Sequence, residues 1–164
     1  DTMIKPWDDY FMEIAKTCAS RSNCLRAHVG AVIVGDDKKI KATGYNGTPS
    51  KVIACHELGY CYRIKNNIES GTRYETCRSI HAEQNAIISA SRKDMLGGTL
   101  YLSGKDTSTG EYVNAANCCY ICKRMIINAG ISKVIVRDSK TEYREINVDD
   151  WKNDLESLSG VNGY

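Results

Sequence analysis

Two short motifs in this chain combine residue types that hold a metal and move a proton. His81-Ala82-Glu83 opens one apolar-periodic segment, and Cys119-Tyr120-Ile121-Cys122 opens another. A catalytic zinc takes three protein ligands and keeps its fourth tetrahedral position for water. His81, Cys119 and Cys122 supply three. Helix starts suit thiolates, because unpaired N–H groups and the positive end of the helix dipole stabilise negative charge. Zinc lowers the pKa of its water to about 7, so hydroxide forms at neutral pH. Glu83, two residues from the histidine, can touch that water without binding the metal, and it is the expected proton carrier. Either motif alone says little, since a lone C-x-x-C is more often a structural zinc knuckle or a redox pair. Together, a strand apart, they point to a catalytic zinc. A purely structural zinc in a binding module is the rival, and Glu83 counts against it, because a structural site wants a fourth ligand rather than a nearby base.

The elements that must position these residues alternate between α and β. Trp7 to Ser20 carries Phe11, Ile14, Ala15 and Cys18 at helical spacing. Val29 to Val34 is apolar and β-branched on both alternating faces, which predicts a strand covered on both sides. A polar turn at Asp36 to Lys39 leads to a second strand, Ile40 to Tyr45. Asn46 to Cys77 reads mainly as irregular structure carrying function, with room for a short helix. His81 to Arg92 is the next helix, with Ser79 a candidate cap. Thr99 to Leu102 follows as a strand, then a helix from Tyr120 to Ala129 that Gly130 stops. Lys133 to Arg137 is another buried strand, and Asp149-Asp150 open a last helix reaching about Leu158. This alternation predicts a single-domain α/β sandwich over residues 1–164, with helices on both faces of a sheet.

Composition is that of a soluble globular chain. The chain has 42% hydrophobic and 26% charged residues and a net charge of +2, without the basic footprint of a nucleic-acid polymer binder. No apolar run nears the roughly 20 residues that span a bilayer, and no signal peptide is legible, so a cytoplasmic location is expected. Asp1 and Thr2 precede Met3 and read as a remnant ahead of the native start. With no secretion signal, the eight cysteines favour metal ligation or burial over disulfides.

The segments WDDYFMEIA, RSNC-x-R, VGAVIV, TGYNGTP, CRSIHAEQNAI and CKRMIINAGISKVIV resemble the deoxycytidylate (dCMP) deaminase family of the cytidine deaminase superfamily over most of the chain. The zinc deaminases of that superfamily direct hydroxide at C4 of cytosine, with a glutamate as general acid/base. The resemblance implies a three-layer α/β sandwich with a mixed five-stranded sheet between helices. It implies conversion of dCMP to dUMP plus ammonia, feeding thymidylate synthesis. Asn46 would hold the sugar, the Ala82 backbone would contact the pyrimidine carbonyl, and Ala31 would lie beneath the base. The resemblance further implies homo-oligomers up to hexamers. It also implies feedback by dCTP as activator and dTTP as inhibitor, bound between subunits with Mg²⁺, with the GYNG segment and the middle loop as the places to look.

Two departures stand out. Cys118 occupies the position of the family's proline before the metal cysteines, which removes a preset φ and offers a competing thiol, although spacing favours Cys119. Ser103 to Ala116 is longer than usual and reads as a polar hairpin or lid. Cys24, Cys55, Cys61 and Cys77 lie in or beside the irregular middle, where some members of the family carry a structural zinc. They either hold a second metal or are buried small hydrophobes. His28 is expected to be packed or on the surface. A monophosphate needs cations or helix-end N–H groups. Arg26 is the leading candidate, with Arg63, Arg73, Arg78 and Lys123 behind it, while Tyr45, Tyr60, Tyr62 and Tyr101 are aromatic candidates for stacking. Rival readings are free cytidine or tRNA adenosine as substrate, or a non-catalytic nucleotide-sensing or competence-associated zinc protein.

Overall fold

In the computed structural model, residues 3–69, 71–112 and 119–158 are described. Helix α1 (Trp7–Ala19) buries Phe11, Met12 and Ala15, as its spacing requires. Its first-turn acids favour the positive end of the dipole and also tether the helix. Asp8 accepts a hydrogen bond from the Tyr101 hydroxyl at 2.6 Å, and Asp9 accepts one from Tyr143 at 2.5 Å. Strands β1 (Ala27–Val34) and β2 (Ile40–Tyr45) form an antiparallel hairpin. The irregular middle holds two single-turn helices, α2 (Cys55–Leu58) and α3 (Tyr62–Lys65), and a 3₁₀ turn at Tyr74–Thr76. There follow α4 (Ala82–Ile88), α5 (Arg92–Met95), β3 (Thr99–Asp106), α6 (Tyr120–Ala129), β4 (Lys133–Arg137), β5 (Tyr143–Asn147) and α7 (Val148–Lys152), with a closing 3₁₀ turn at Leu155–Leu158.

The sheet order is β2-β1-β3-β4-β5, with only β3 and β4 parallel. On one face, α1 packs Phe11, Met12 and Ala15 against Val32, Val34, Tyr101 and Ile135. On the other, Ala82 and Ala86 of α4 and Cys122, Ile126 and Ala129 of α6 cover Val29, Ala31, Leu102, Val134 and Val136. This is the expected mixed five-stranded sheet between helices. Two glycines let the helices lie close. A Cβ on Gly30 would sit 1.9 Å from the Ala15 carbonyl oxygen of α1, and one on Gly44 would sit 2.4 Å from the Ala82 carbonyl oxygen of α4.

Several boundaries differ from expectation for local reasons. The helix expected over 81–92 is two helices, because Ser91 caps α5 by accepting the Asp94 N–H at 3.2 Å and so breaks the run after Ile88. Ser79 does not cap α4. His81 stands at the N-cap, and its N–H donates to Gln84 Oε1 at 2.9 Å. The last helix is α7, capped by Asn147, whose Oδ1 accepts from Asp149 N–H at 3.0 Å; the 3₁₀ turn is separate. β3 extends to Asp106, so the segment after it begins as strand. It then turns tightly, with Gly110 N–H donating to the Asp106 carbonyl and Lys105 bridging to Tyr112. That much is a polar hairpin; residues 113–116 of the expected lid, and Cys118, lie outside the described residues.

Candidate active site

The two motifs meet at the start of α4 and the start of α6, on the same face of the sheet. Gly44 allows α4 to approach, and paired hydrogen bonds between Gly47 and Ile80 (2.7 and 3.1 Å) fix the chain entering it. Asn85 Nδ2 donates to the Tyr45 carbonyl at 2.8 Å, fastening the helix to the end of β2. Cys119 is the N-cap of α6, its sulfur accepting the Cys122 N–H at 3.4 Å.

His81, Cys119 and Cys122 are all buried, and their ligand atoms lie within 4.8 Å of one another. The two sulfurs are 3.2 Å apart, and His81 Nδ1 lies 3.4 Å from Cys119 Sγ and 3.3 Å from Cys122 Sγ. Zinc bonded tetrahedrally to two thiolates and an imidazole sets those edges at about 3.8 Å and about 3.6 Å. The triangle is therefore tighter by a few tenths of an ångström, and the donor set fits zinc, which takes soft thiolate and imidazole ligands. The Cys119 thiol is held down to about 4, chiefly by a hydrogen bond from Cys122, against burial, with His81 adding a further hydrogen bond and its charge. Burial alone would lower His81, but the Cys119 contact and the Glu83 carboxylate lift it above its ordinary value. Glu83 is fully buried in the first turn of α4, within electrostatic reach of that imidazole.

A cavity of about 30 Å³ opens on this cluster, walled by Cys24, Arg26, Ala27, Asn46, Tyr74, Cys77, Ser79 and His81. Asn46 is buried and braced. Its Oδ1 accepts Val29 N–H and its Nδ2 donates to the Ala27 carbonyl, both at 2.8 Å. Ala82 and Ala31 are fully buried in the core cluster that also contains both cysteines, and neither lines the cavity.

The other cations are mostly engaged elsewhere. Arg63 is buried, Arg73 pairs with Glu75 at 3.4 Å, Arg78 sits 5.5 Å over the rings of Tyr60 and Tyr62, and Lys123 lies over Tyr120 and Trp151. Of the candidate cations, Arg26 alone lines the cavity. Tyr74 lines it too, and the sequence reading passed over it. Its only signal there is proximity to the HAE motif.

Cys24, Cys55, Cys61 and Cys77 all line one further cavity of about 30 Å³, together with Arg26, Arg63 and Ser79. Among the described residues, only His81, Cys119 and Cys122 bring three ligand atoms within 4.8 Å of one another, so no three of these four sulfurs lie that close together. Burial pushes the Cys55 and Cys77 thiols up. His28 is exposed on β1, with Nε2 3.0 Å from the Cys24 carbonyl oxygen, and Cys18 packs partly buried beneath α1.

A mixed sheet between helices carries two cysteines, a histidine and a buried glutamate at its helix starts, a donor set that can hold zinc beside a proton carrier. Residues 5–138 match the family described as the cytidine and deoxycytidylate deaminase zinc-binding region, and the chain belongs to that family. A deoxycytidylate deaminase of Mycobacterium phage D29 is 34% identical over 138 residues, covering 81% of this chain and 96% of the relative. The Saccharomyces cerevisiae deoxycytidylate deaminase is 40% identical over 140 residues, covering 84% of this chain and 39% of the yeast protein. Among solved structures, the apo dCMP deaminase of cyanophage S-TIM5 aligns with a TM-score of 0.57 at 27% identity, over 84% of this chain and 88% of that one. The same cyanophage enzyme in complex with dCMP and dUMP aligns with a TM-score of 0.55 at 25% identity, over 99% and 98%.

Proposed function

We propose that this chain hydrolyses the C4–N bond of a cytosine nucleotide, dCMP foremost, to give dUMP and ammonia. The carrying observation is the buried His81, Cys119, Cys122 cluster with Glu83 beside it, at a cavity that Asn46 and Arg26 also wall. The relatives named deoxycytidylate deaminase and the neighbour complexed with dCMP and dUMP support this choice of substrate. Zinc held by the three ligands supplies a nucleophile from water at neutral pH. Glu83 carries the protons. Of the two hydrogens of the attacking water, one must reach ring N3 and the other the leaving amino group, so that uracil and ammonia result. A single buried carboxylate alongside can relay both.

The remaining contacts are part of the same reading. By the family resemblance the Ala82 backbone would meet the pyrimidine carbonyl and Ala31 would underlie the base, although both are buried behind the cavity wall rather than part of it. Asn46 reaches the sugar with the amide hydrogen and lone pair that its backbone partners leave over. Arg26 meets the phosphate as the cation in the cavity wall.

Cys24, Cys55, Cys61 and Cys77 close on a second, structural zinc, supported by their convergence on one cavity from four separate segments. The protein works in the cytoplasm as a homo-oligomer responsive to dCTP and dTTP with Mg²⁺. Among the described residues, no helix is long and apolar enough to cross a membrane. Light scattering with and without dCTP and Mg²⁺ tests the assembly.

The deciding experiment offers dCMP, deoxycytidine, CMP and an adenosine-containing RNA hairpin to zinc-loaded protein and follows ammonia. Turnover of dCMP ahead of the others, lost in Glu83→Gln with zinc retained, is the expected result. Zinc-loaded protein that turns over none of them, even with dCTP present, would overturn the reading.

A further inference from the structure

Arg63 is the largest fully buried side chain, 1% exposed, yet it takes no part in the ion pairs among the described residues. Withdrawing a guanidinium from water costs several kcal/mol unless strong partners replace the solvent. Its partners all come from one short stretch. Nη1 donates to the Arg73 carbonyl at 2.7 Å and to Thr76 Oγ1 at 3.0 Å, and Nη2 donates to the Glu69 carbonyl at 2.9 Å. Thr76 Oγ1 donates to the same Arg73 carbonyl at 2.7 Å and the Thr76 N–H at 3.1 Å, so three donors converge on that oxygen. Arg73 has φ 48° and ψ 53°, a left-handed conformation that costs a non-glycine residue about 1 kcal/mol or more. The guanidinium therefore holds a turn that the backbone alone disfavours.

That turn delivers Tyr74. The guanidinium carbon lies 4.8 Å from the centre of its ring, a cation–π contact in a dry setting. The opposite side of the story is His81: the Tyr74 and His81 ring centroids are 5.1 Å apart with planes at 87°, an edge-to-face contact. Tyr74 also walls the cavity beside His81 and Arg26. Metal-binding imidazoles need their ring planes fixed by neighbours, because the ligand nitrogen binds only along its lone-pair direction.

We propose that Tyr74 is a positioning residue for the His81 imidazole, holding Nδ1 toward the two thiolates, and that Arg63 is the lock that keeps Tyr74 in place. The inference rests on reading His81, Cys119 and Cys122 as a zinc centre. It assigns the stretch holding Arg63, Arg73 and Tyr74 a task beyond housing cysteines: it clamps one ligand of the catalytic centre.

The test compares the parent chain with Tyr74→Phe, Tyr74→Leu and Arg63→Met. Zinc affinity is measured by chelator competition, the visible spectrum is recorded with cobalt in place of zinc, and Tm is followed in parallel. Cys119→Ser marks which bound metal belongs to the centre. Tyr74→Phe, which keeps the ring, is expected to stay within about twofold of the parent; loss of an outer partner typically weakens metal binding by roughly ten- to a hundredfold. Tyr74→Leu and Arg63→Met should fall in that range, with a changed cobalt spectrum. If Arg63→Met does not fold, Thr76→Val tests the lock, expected to show a smaller loss in the same direction. Tyr74→Leu with parental affinity and spectrum overturns the inference. A parent chain that binds no zinc through Cys119 overturns the metal centre itself, which is a different failure.

Discussion

Asn46 shows how much a single side chain carries that its sequence cannot display. The resemblance marks it as a sugar contact, whereas the structure has its amide bridging Val29 N–H and the Ala27 carbonyl in a buried position. Those partners stand 17 and 19 residues away, so no local spacing announces them. Asn46→Ala leaves the buried Val29 N–H and the half-buried Ala27 carbonyl without that partner, at about 1–3 kcal/mol for a buried unsatisfied group and less for one that water can reach. Urea unfolding should therefore show a loss of about 2 kcal/mol or more, before any effect on KM. The metal residues were legible for the opposite reason: H-x-E and C-x-x-C are compact, and each sits at the start of its own helix. Tyr74 was not legible as part of the site, and Arg63 was legible only as a candidate phosphate cation, because the roles proposed for them come from a left-handed turn at Arg73 that no composition signal marks. Glu83→Gln is the clean probe of the proton relay. It preserves shape and should cost kcat roughly 10²–10⁴-fold, by ammonia release, with zinc content by elemental analysis unchanged.

Elements set off by strong local signals were placed by the sequence, and those decided by tertiary context were not. α6 ends at Gly130, whose φ of 82° suits glycine, and β4 is an apolar β-branched run; both boundaries were readable. β5 is half-exposed and mixes Arg144, Glu145 and Ile146, so its pairing with β4, not its pattern, makes it a strand. The docking of α4 depends on Gly44, where an added Cβ would fall 2.4 Å from the Ala82 carbonyl oxygen and 2.6 Å from the Ala86 nitrogen. Both are backbone atoms, so the helix itself has to move. Gly44→Ala should cost about 1–3 kcal/mol by overpacking and lower zinc affinity with it, because His81 caps that helix. α1 offers a pH test. Burial, then hydrogen bonds to Asp8 and Asp9, push the Tyr101 hydroxyl up and the Tyr143 hydroxyl up to about 12. A folded-state pKa raised above the unfolded value near 10 gives stability that is complete below pH 10 and lost as pH climbs toward the folded value. Denaturant midpoints should fall between about pH 10 and 12, and Tyr143→Phe should flatten that limb.

At the scale of the molecule, the irregular middle is one wall shared between two cavities. Cys24, Arg26, Cys77 and Ser79 line both the cavity beside His81 and the four-cysteine cavity, whereas Cys55 and Cys61 line only the latter. A metal drawing four sulfurs inward would fix Cys24 and Cys77, and with them the segments bearing Arg26 and Ser79, from behind. Such a metal centre is a folding constraint on the loop, since ligands that converge from separate segments order one another only when it is filled. The consequence separates the two sites kinetically. Cys55→Ser and Cys61→Ser touch neither the catalytic triad nor the substrate cavity, yet each should lose the second zinc while keeping the first. With the wall unbraced, KM for dCMP should rise by roughly tenfold, the lower range for loss of an outer support, and kcat should change less because Glu83 and His81 sit on α4 and not on the loop. Steady-state kinetics beside elemental analysis decides it. Loss of one zinc with KM unmoved would make the four-cysteine centre an anchor for the loop alone, and retention of all zinc would return those cysteines to plain packing.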